Sequence, residues 1–250
     1  MLKDKASANV VVVSALKAES QTLSQHSNCI NLCTSGMGGD AVNQCLAELA
    51  PKDITGLISW GVCGALKPTL KSGDLLIPKA VMNQQRQVFE CDENWRSAIQ
   101  CTLRQSTQTT KLMQHAGSDN SLIIDSNTVI ENIQDKITMS KDYDAHAVDM
   151  ESFIIAHFAH QHQLPFIIIR TVIDGINDSL PSCSQFKLGQ SAISLETLGR
   201  IITTPSQWSA LIRTGTQFNN AVASLTQVAN TSIDVLSSPI AQPNSKPLKV

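Results

Sequence analysis

The stretch Val148–Asp174, VDMESFIIAHFAHQHQLPFIIIRTVID, decides how this chain is read. Met150, Phe153, Ile154, His157 and Phe158 recur at i, i+3, i+4, i+7 and i+8, which predicts an amphipathic helix with those residues on its apolar face. Asp149 and Glu151 fall in its first turn, where negative charge suits the helix dipole. Pro165 disfavours the α conformation at Leu164, so the helix stops before it. Phe166–Ile169 is then a continuous apolar run, as expected of a strand covered on both faces. Ligands of open α/β sheets bind beyond the carboxyl ends of strands. Arg170 and Asp174 lie at that end, with Asp174 just past the strand, and Glu151 opens the helix. Two carboxylates thus reach one pocket from opposite directions, an arrangement suited to a small polar ligand.

Working outward, Val10–Val13 predicts a first buried strand, followed by a helix through Leu16, Glu19 and Leu23. A second strand, Ile30–Thr34, runs into Ser35-Gly36-Met37-Gly38-Gly39, and a helix follows over 40–49 with Asp40 as N-cap. The strand Ile54–Ser59 leads into a second glycine loop, Gly61-Val62-Cys63-Gly64. Further strands are predicted at Leu75–Ile77 and Ala80–Met82, and helices at 94–103 and 129–137. Residues 104–121 are polar and receive no assignment. The first glycine loop precedes a helix, so its backbone N–H groups can cradle an anion or a ribose. Neither loop matches GxGxxG or a Walker A motif, and each alone reads more often as a plain tight turn than as a ligand loop. Past Asp178, a helical region places Trp208, Leu211, Ile212 and Gly215 on one face. Three prolines among polar residues after Ser237 predict a disordered tail. The whole reads as one α/β domain over 1–236 with a tail at 237–250.

A chain of 250 residues can bury one sizeable core. With 19 Lys and Arg against 21 Asp and Glu, it carries no basic field for nucleic acid. The apolar run near the start is too short for a membrane span and lacks a signal-peptide layout, which predicts a cytoplasmic protein. Seven cysteines, an odd number without CxxC spacing, predict neither a zinc site nor a disulfide framework, and small buried thiols are expected. His157, His160 and His162 do not share one helix face, so no metal site is expected there.

Five segments, VVVSALKAES (11–20), SGMGG (35–39), ISWGVCGALKPTLKSGDLLIP (58–78), VDMES (148–152) and PFIIIRTVID (165–174), follow one another in a familiar order. Together they resemble the nucleoside phosphorylase/nucleosidase superfamily, in particular the methylthioadenosine/S-adenosylhomocysteine nucleosidase branch. SGMGG, SWGVCG, VDMES and the downstream LPSCSQ and LGRIITTPSQWSALIR are similar to the hopanoid-associated phosphorylases, or adenosylhopane nucleosidases.

The resemblance implies a three-layer sandwich, a central mixed β-sheet flanked by helices. It also implies cleavage of an N-glycosidic bond, releasing adenine from an adenosine-type nucleoside without a cofactor. Asp174 matches the general acid that protonates purine N7. Glu19 matches the residue that deprotonates the attacking water, and Arg170 the one that positions it. Glu151 matches the carboxylate that grips the ribose hydroxyls, with Met150 against the sugar. Ser121 and Leu122, in a segment with Gly117-Ser118-Asp119, match the backbone that reads the purine edge. Gly36, Gly38, Gly39, Gly61 and Gly64 fall near the sugar or an anion. The chemistry agrees: cleavage builds oxocarbenium character that carboxylates stabilise, and adenine leaves well only when protonated. The implied partner is a small nucleoside, lipid-linked in the hopanoid case, on a homodimer that touches a membrane surface.

The chain departs from the family pattern at Ile173 and Val62, where Ser is usual, and in the segment Gly175-Ile176-Asn177-Asp178. The Ser at position 62 and a nearby Arg hold phosphate in the phosphorylases. Their absence favours water as nucleophile. Three alternatives stand beside adenosylhopane cleavage: a methylthioadenosine/S-adenosylhomocysteine nucleosidase, a purine nucleoside phosphorylase, and a non-catalytic nucleoside-binding relative.

Overall fold

The computed structural model describes residues 9–113, 121–179 and 205–239. Nine strands form one mixed sheet. Strands β1 (Val10–Ser14), β2 (Asn31–Thr34), β3 (Gly56–Ala65) and β9 (Phe166–Asp174) run parallel, with β1 between β2 and β3, and β3 also against β9. Strand β8 (Ala147–Asp149) turns the direction, pairing antiparallel with β3. Strands β7 (Leu122–Asp125) and β5 (Ala80–Met82) continue parallel to β8. Strand β6 (Val88–Glu90) is the edge beyond β5, and β4 (Leu75–Leu76) pairs antiparallel with β9. Val10–Val13 and Phe166–Ile169 are buried throughout, as two-sided coverage requires.

Six helices accompany the sheet among the described residues: α1 (Lys17–Gln21), α2 (Gly39–Ala47), α3 (Glu93–Gln105), α4 (Ile133–Tyr143), α5 (Ser152–Gln161) and α6 (Pro205–Leu236). Helix α2 packs on α5, and α6 packs on α3 and β9. Trp95 Nε1 donates to the Val235 carbonyl at 2.9 Å, tying α3 to α6. These contacts build the mixed sheet with helices that the family resemblance implies.

Several local expectations are corrected. Helix α5 buries Ser152, Ile155, Ala156 and Ala159, whereas His157 is exposed and Phe153, Ile154 and Phe158 are half-buried. Small side chains at 152, 156 and 159 let the helix lie close to its neighbours, so the large apolar residues flank the contact. Asp149 is the last residue of β8 and Glu151 is the N-cap, so neither lies in the helix. Gly38, with no side chain to offer, caps α2, and Asp40 falls in its first turn. Strand β3 runs through Gly61–Gly64 with an irregularity at Cys63/Gly64, so the second glycine segment is strand, not loop. Strand β9 likewise continues through Arg170 to end at Asp174. Helix α4 begins at Ile133, capped by Asn132, whose side chain accepts from Asp135 N. Strands β6, β7 and β8 were not expected. Each is only three or four residues long, too short to display a period.

Cys33 and Cys45 form a disulfide, with Cα atoms 6.9 Å apart, against the expectation of free thiols. The β2–α2 connection folds back and brings these residues together across a separation of 12. Cys63 and Cys91 are buried thiols, while Cys29 and Cys101 are exposed. His157 and His160 lie against the Phe89 ring, and His162 against Phe158. Gly215 is exposed. Outside the described residues fall Cys183, residues 117–119, most of the segment resembling hopanoid-associated proteins, the side chains of Trp208, Leu211 and Ile212, and the tail from 240.

Candidate active site

The parallel strands β3 and β9 pair Gly61 with Arg170 and Gly64 with Asp174. Because β8 runs the other way, its carboxyl end delivers Asp149 and Glu151 to the same stretch of β3. The first helix contributes Glu19 from the carboxyl end of β1. Five charged side chains thus converge from three segments, and all are at least nine-tenths buried.

Arg170 sits at the centre. Its Nε donates to Asp149 Oδ2 at 2.7 Å, and its Nη2 donates to Ser59 Oγ at 2.9 Å and Ser152 Oγ at 3.0 Å. Ser59 and Ser152 hydrogen-bond each other at 2.9 Å, and Ser152 Oγ also donates to Asp149 Oδ2. Burial opposes the charge on Arg170, but Asp149, Glu151 and Glu19 outweigh it and hold the guanidinium charged.

Glu19 is held at both oxygens. Leu16 N donates to Oε2 at 2.8 Å and Val62 N donates to Oε1 at 3.0 Å. Its carboxyl is pushed above its ordinary range by burial, which outweighs Arg170 and the backbone donors. A side chain at residue 61 would place its Cβ 2.6 Å from Glu19 Oε1 and 2.5 Å from Arg170 Nη1. Gly61 is therefore what lets these two groups share one space. Val62 contributes to the site through its backbone N–H, which any residue but proline supplies at that position.

Glu151 Oε1 accepts from Gly38 N at 3.1 Å, and its Oε2 stands 3.9 Å from Arg170 Nη2. Gly38 has φ +84°, a left-handed conformation that suits glycine and points its N–H at the carboxylate. Burial pushes the Glu151 carboxyl up to about 7, with Arg170 opposing. Met150, half-buried, precedes it. Gly36 lies in the same β2–α2 connection, where its N donates to the Ala15 carbonyl, and Gly39 opens α2. Asp174 ends β9 across from Gly64, and burial raises its pKa despite an ion pair with Lys136. Ile173, before it, faces away into a half-buried position.

Among the expected residues, Asp174, Glu19, Arg170, Glu151, Gly38, Gly61 and Gly64 come together. Ser121 and Leu122 do not join them. They open β7, whose opposite end, Asp125, is level with Asp149. Their backbone is already used: Lys79 N donates to the Ser121 carbonyl, His146 N to the Leu122 carbonyl, and Leu122 N to His146 Nδ1. Sheet pairing takes the groups that a purine edge would need.

The structure adds residues that the pattern did not single out. Asp149 is the Arg170 partner, and Ser59 and Ser152 complete its cradle. Ser59 interrupts an apolar strand sequence, which was the available signal, whereas Ser152 follows Glu151 at the start of the helix and carries none. Asp125 is buried with Oδ1 lacking a hydrogen-bond partner among the described residues, and burial together with Asp149 and Glu151 pushes it up to about 7. Lys136 arrives from α4 and carries no local motif. Among the described residues, no group of three or more His, Cys, Asp and Glu is arranged to hold a metal ion.

Known proteins share this architecture. The futalosine hydrolase of Helicobacter pylori superposes with a TM-score of 0.67 at 12% identity, over 91% of this chain and 98% of that one. A 5'-methylthioadenosine/S-adenosylhomocysteine nucleosidase from Neisseria meningitidis, in complex with methylthio-immucillin-A, gives 0.64 at 17% identity, over 90% and 98%. In sequence, the chain is 26% identical to the 5'-methylthioadenosine/S-adenosylhomocysteine nucleosidase of Staphylococcus haemolyticus over 159 residues, 57% of this chain and 66% of that relative's length. Residues 9–204, which include every strand and all the site residues described above, match the family model of the phosphorylase superfamily, and the chain belongs to that superfamily.

Proposed function

We propose that this chain hydrolyses the N-glycosidic bond of an adenosine-type nucleoside and releases adenine. The observation that carries this reading is Glu19: a buried carboxylate, fixed by two backbone N–H groups and sharing the space beside Gly61 with Arg170. Such a group can take a proton from a water that attacks the sugar. Glu151 is placed to hold ribose hydroxyls, and its charge stabilises the oxocarbenium-like transition state. Asp174, raised by burial, supplies the proton for the purine.

Water is favoured over phosphate by the charge of the site. Glu19, Asp149 and Glu151 surround the single guanidinium of Arg170, and Asp149 with the two serines already takes its Nε and Nη2. A phosphate dianion would meet three carboxylates and one engaged cation.

For the 5′ group we propose hopane, on the similarity of SGMGG, SWGVCG, VDMES and the 180–213 segment to hopanoid-associated proteins. A lipid-linked substrate would bring the protein to a membrane surface from the cytoplasm, and a homodimer is the assembly proposed. Among the described residues, no helix is long and apolar enough to cross a membrane. The Staphylococcus haemolyticus relative favours a second reading, with methylthioadenosine or S-adenosylhomocysteine as substrate.

Incubation of the purified protein with adenosylhopane, methylthioadenosine and S-adenosylhomocysteine, following free adenine, decides among these. Adenine from adenosylhopane alone supports the hopanoid reading, and efficient cleavage of methylthioadenosine supports the second. Adenine release from none of them sinks the enzymatic proposal. The mass of the sugar product, with and without phosphate, separates hydrolysis from phosphorolysis.

A further inference from the structure

A buried cation stands against the proposed acid. Lys136 lies early in α4 with 1% of its side chain exposed, and its Nζ is ion-paired with Asp174 Oδ2. The same ammonium donates to the Gly175 carbonyl at 3.0 Å and to the Asp178 carbonyl at 2.7 Å. All three ammonium protons are therefore committed. Asp178 Oδ2 in turn accepts from Gly175 N and from Gln217 Nε2, each at 2.9 Å. Lys136 thus clamps the turn that follows β9 and holds one oxygen of the carboxyl group at its end. A side chain at residue 64 would come within 3.5 Å of Oδ1, the oxygen that Lys136 does not hold.

We propose that Lys136 is a positioning residue for the general acid, which stabilises the carboxylate that Asp174 becomes on giving up its proton and presents Oδ1 to the purine. The proposal rests on the reading of Asp174 as that acid. In the step, the O–H bond of Asp174 breaks and a bond from hydrogen to purine N7 forms. The electron pair of the C1′–N9 bond leaves with the base. The water oxygen bonds to C1′, and its proton passes to Glu19. Lys136 keeps its protons throughout and acts by charge and aim.

The physical need is clear from the burial of Asp174. A carboxyl group in an apolar site without a cation holds its proton too firmly to give it away. A cation in contact lowers the cost of the ionised product. Burial and Lys136 pull Asp174 in opposite directions, and burial prevails. Burial favours the protonated acid and Lys136 favours the carboxylate it leaves behind, and general acids are most effective where these two demands are balanced. A lysine suits the place because its compact ammonium offers three donors from one atom, here to a carboxylate and two carbonyls.

The test compares wild type with K136M, K136Q and K136A, measuring adenine release from the best substrate across pH, and titrates the Asp174 carboxyl by carbon-13 NMR, assigned with D174N. K136M is expected to lower kcat about tenfold to a hundredfold with KM little changed. The alkaline limb of its profile should move up by about one pH unit or more, since an opposite charge in contact lowers a carboxyl by that much. Ethylammonium should restore part of the rate to K136A. K136Q gives the same reading if K136M does not fold. Lowered activity with an unmoved limb and no rescue would show Lys136 to be structural only, and overturn the proposal. If wild type releases no adenine, the reading of Asp174 as acid fails, and the NMR titration still decides the tuning: an Asp174 pKa unchanged in K136M overturns it.

Discussion

Arg170 Nε lies 2.7 Å from Asp149 Oδ2, and both side chains are buried at the meeting of β9 and β8. The pair joins two strands that run in opposite directions, and it aims Nη2 at Ser59, Ser152 and Glu151. Removing one partner of a buried pair leaves the other charge uncompensated. Asp149→Asn is therefore expected to destabilise the fold by about 3–5 kcal/mol in urea unfolding. The double change Asp149→Leu with Arg170→Met should recover part of that loss while adenine release stays abolished. Recovery of both would show that the pair has no role in the site.

Among the described residues Glu19 has no ion-pair partner in contact, yet it is fixed at both oxygens. Glu19→Gln keeps the shape and removes the base. Adenine release should fall by about 10²–10⁴-fold, while nucleoside binding by calorimetry survives. The base must be ionised to act, so activity of wild type rises with pH through the Glu19 pKa, which burial sets above the usual carboxylate range. That acidic limb should vanish in Glu19→Gln. A variant that keeps wild-type turnover would remove Glu19 from the mechanism.

The close approach at Gly61 makes a sharper test of geometry. A methyl group there would overlap Arg170 Nη1 and Glu19 Oε1. Gly61→Ala should cost about 1–3 kcal/mol of stability, the usual range for overpacking. Activity should fall more than stability, because the displaced atoms are those proposed to handle water. Comparing kcat with the melting temperature separates the two effects. An active Gly61→Ala protein would mean that Glu19 and Arg170 need not share that space.

Much of this site was legible because its residues sit at strand ends in ordered motifs. Asp174, Arg170 and Glu151 lie within one helix–strand unit, and Glu19 belongs to a segment that follows a clear apolar run. The buried face of α5 was misread because Phe153 and Phe158 dominate the hydrophobic pattern, whereas packing selects small residues at 152, 156 and 159. Ser121 and Leu122 were misplaced because β7 is too short to be seen, and a strand consumes the backbone groups that a loop would offer. Lys136 and Asp125 could not be found by spacing. Their roles depend on long-range contacts, 38 residues apart in the case of Lys136 and Asp174. The Cys33–Cys45 disulfide likewise depends on how the β2–α2 connection folds back.

Asp125 predicts how stability should vary with pH. Its carboxyl is pushed up to about 7 by burial and by the charges of Asp149 and Glu151. In the unfolded chain an Asp releases its proton near pH 4. Between these values the folded form binds a proton that the unfolded form does not, so stability falls as pH rises. Below about pH 4 both forms are protonated and this penalty is absent. Asn at 125 carries no charge at any pH and can donate to the neighbouring carboxylates. Asp125→Asn should therefore melt at a higher temperature than wild type at pH 7.5, with the difference shrinking at pH 4.5. Glu151, also raised to about 7, contributes the same trend to both proteins, and the loss of its repulsion with Asp125 widens the difference at pH 7.5. Equal melting differences at the two pH values would show that Asp125 is ionised in the folded protein across the range.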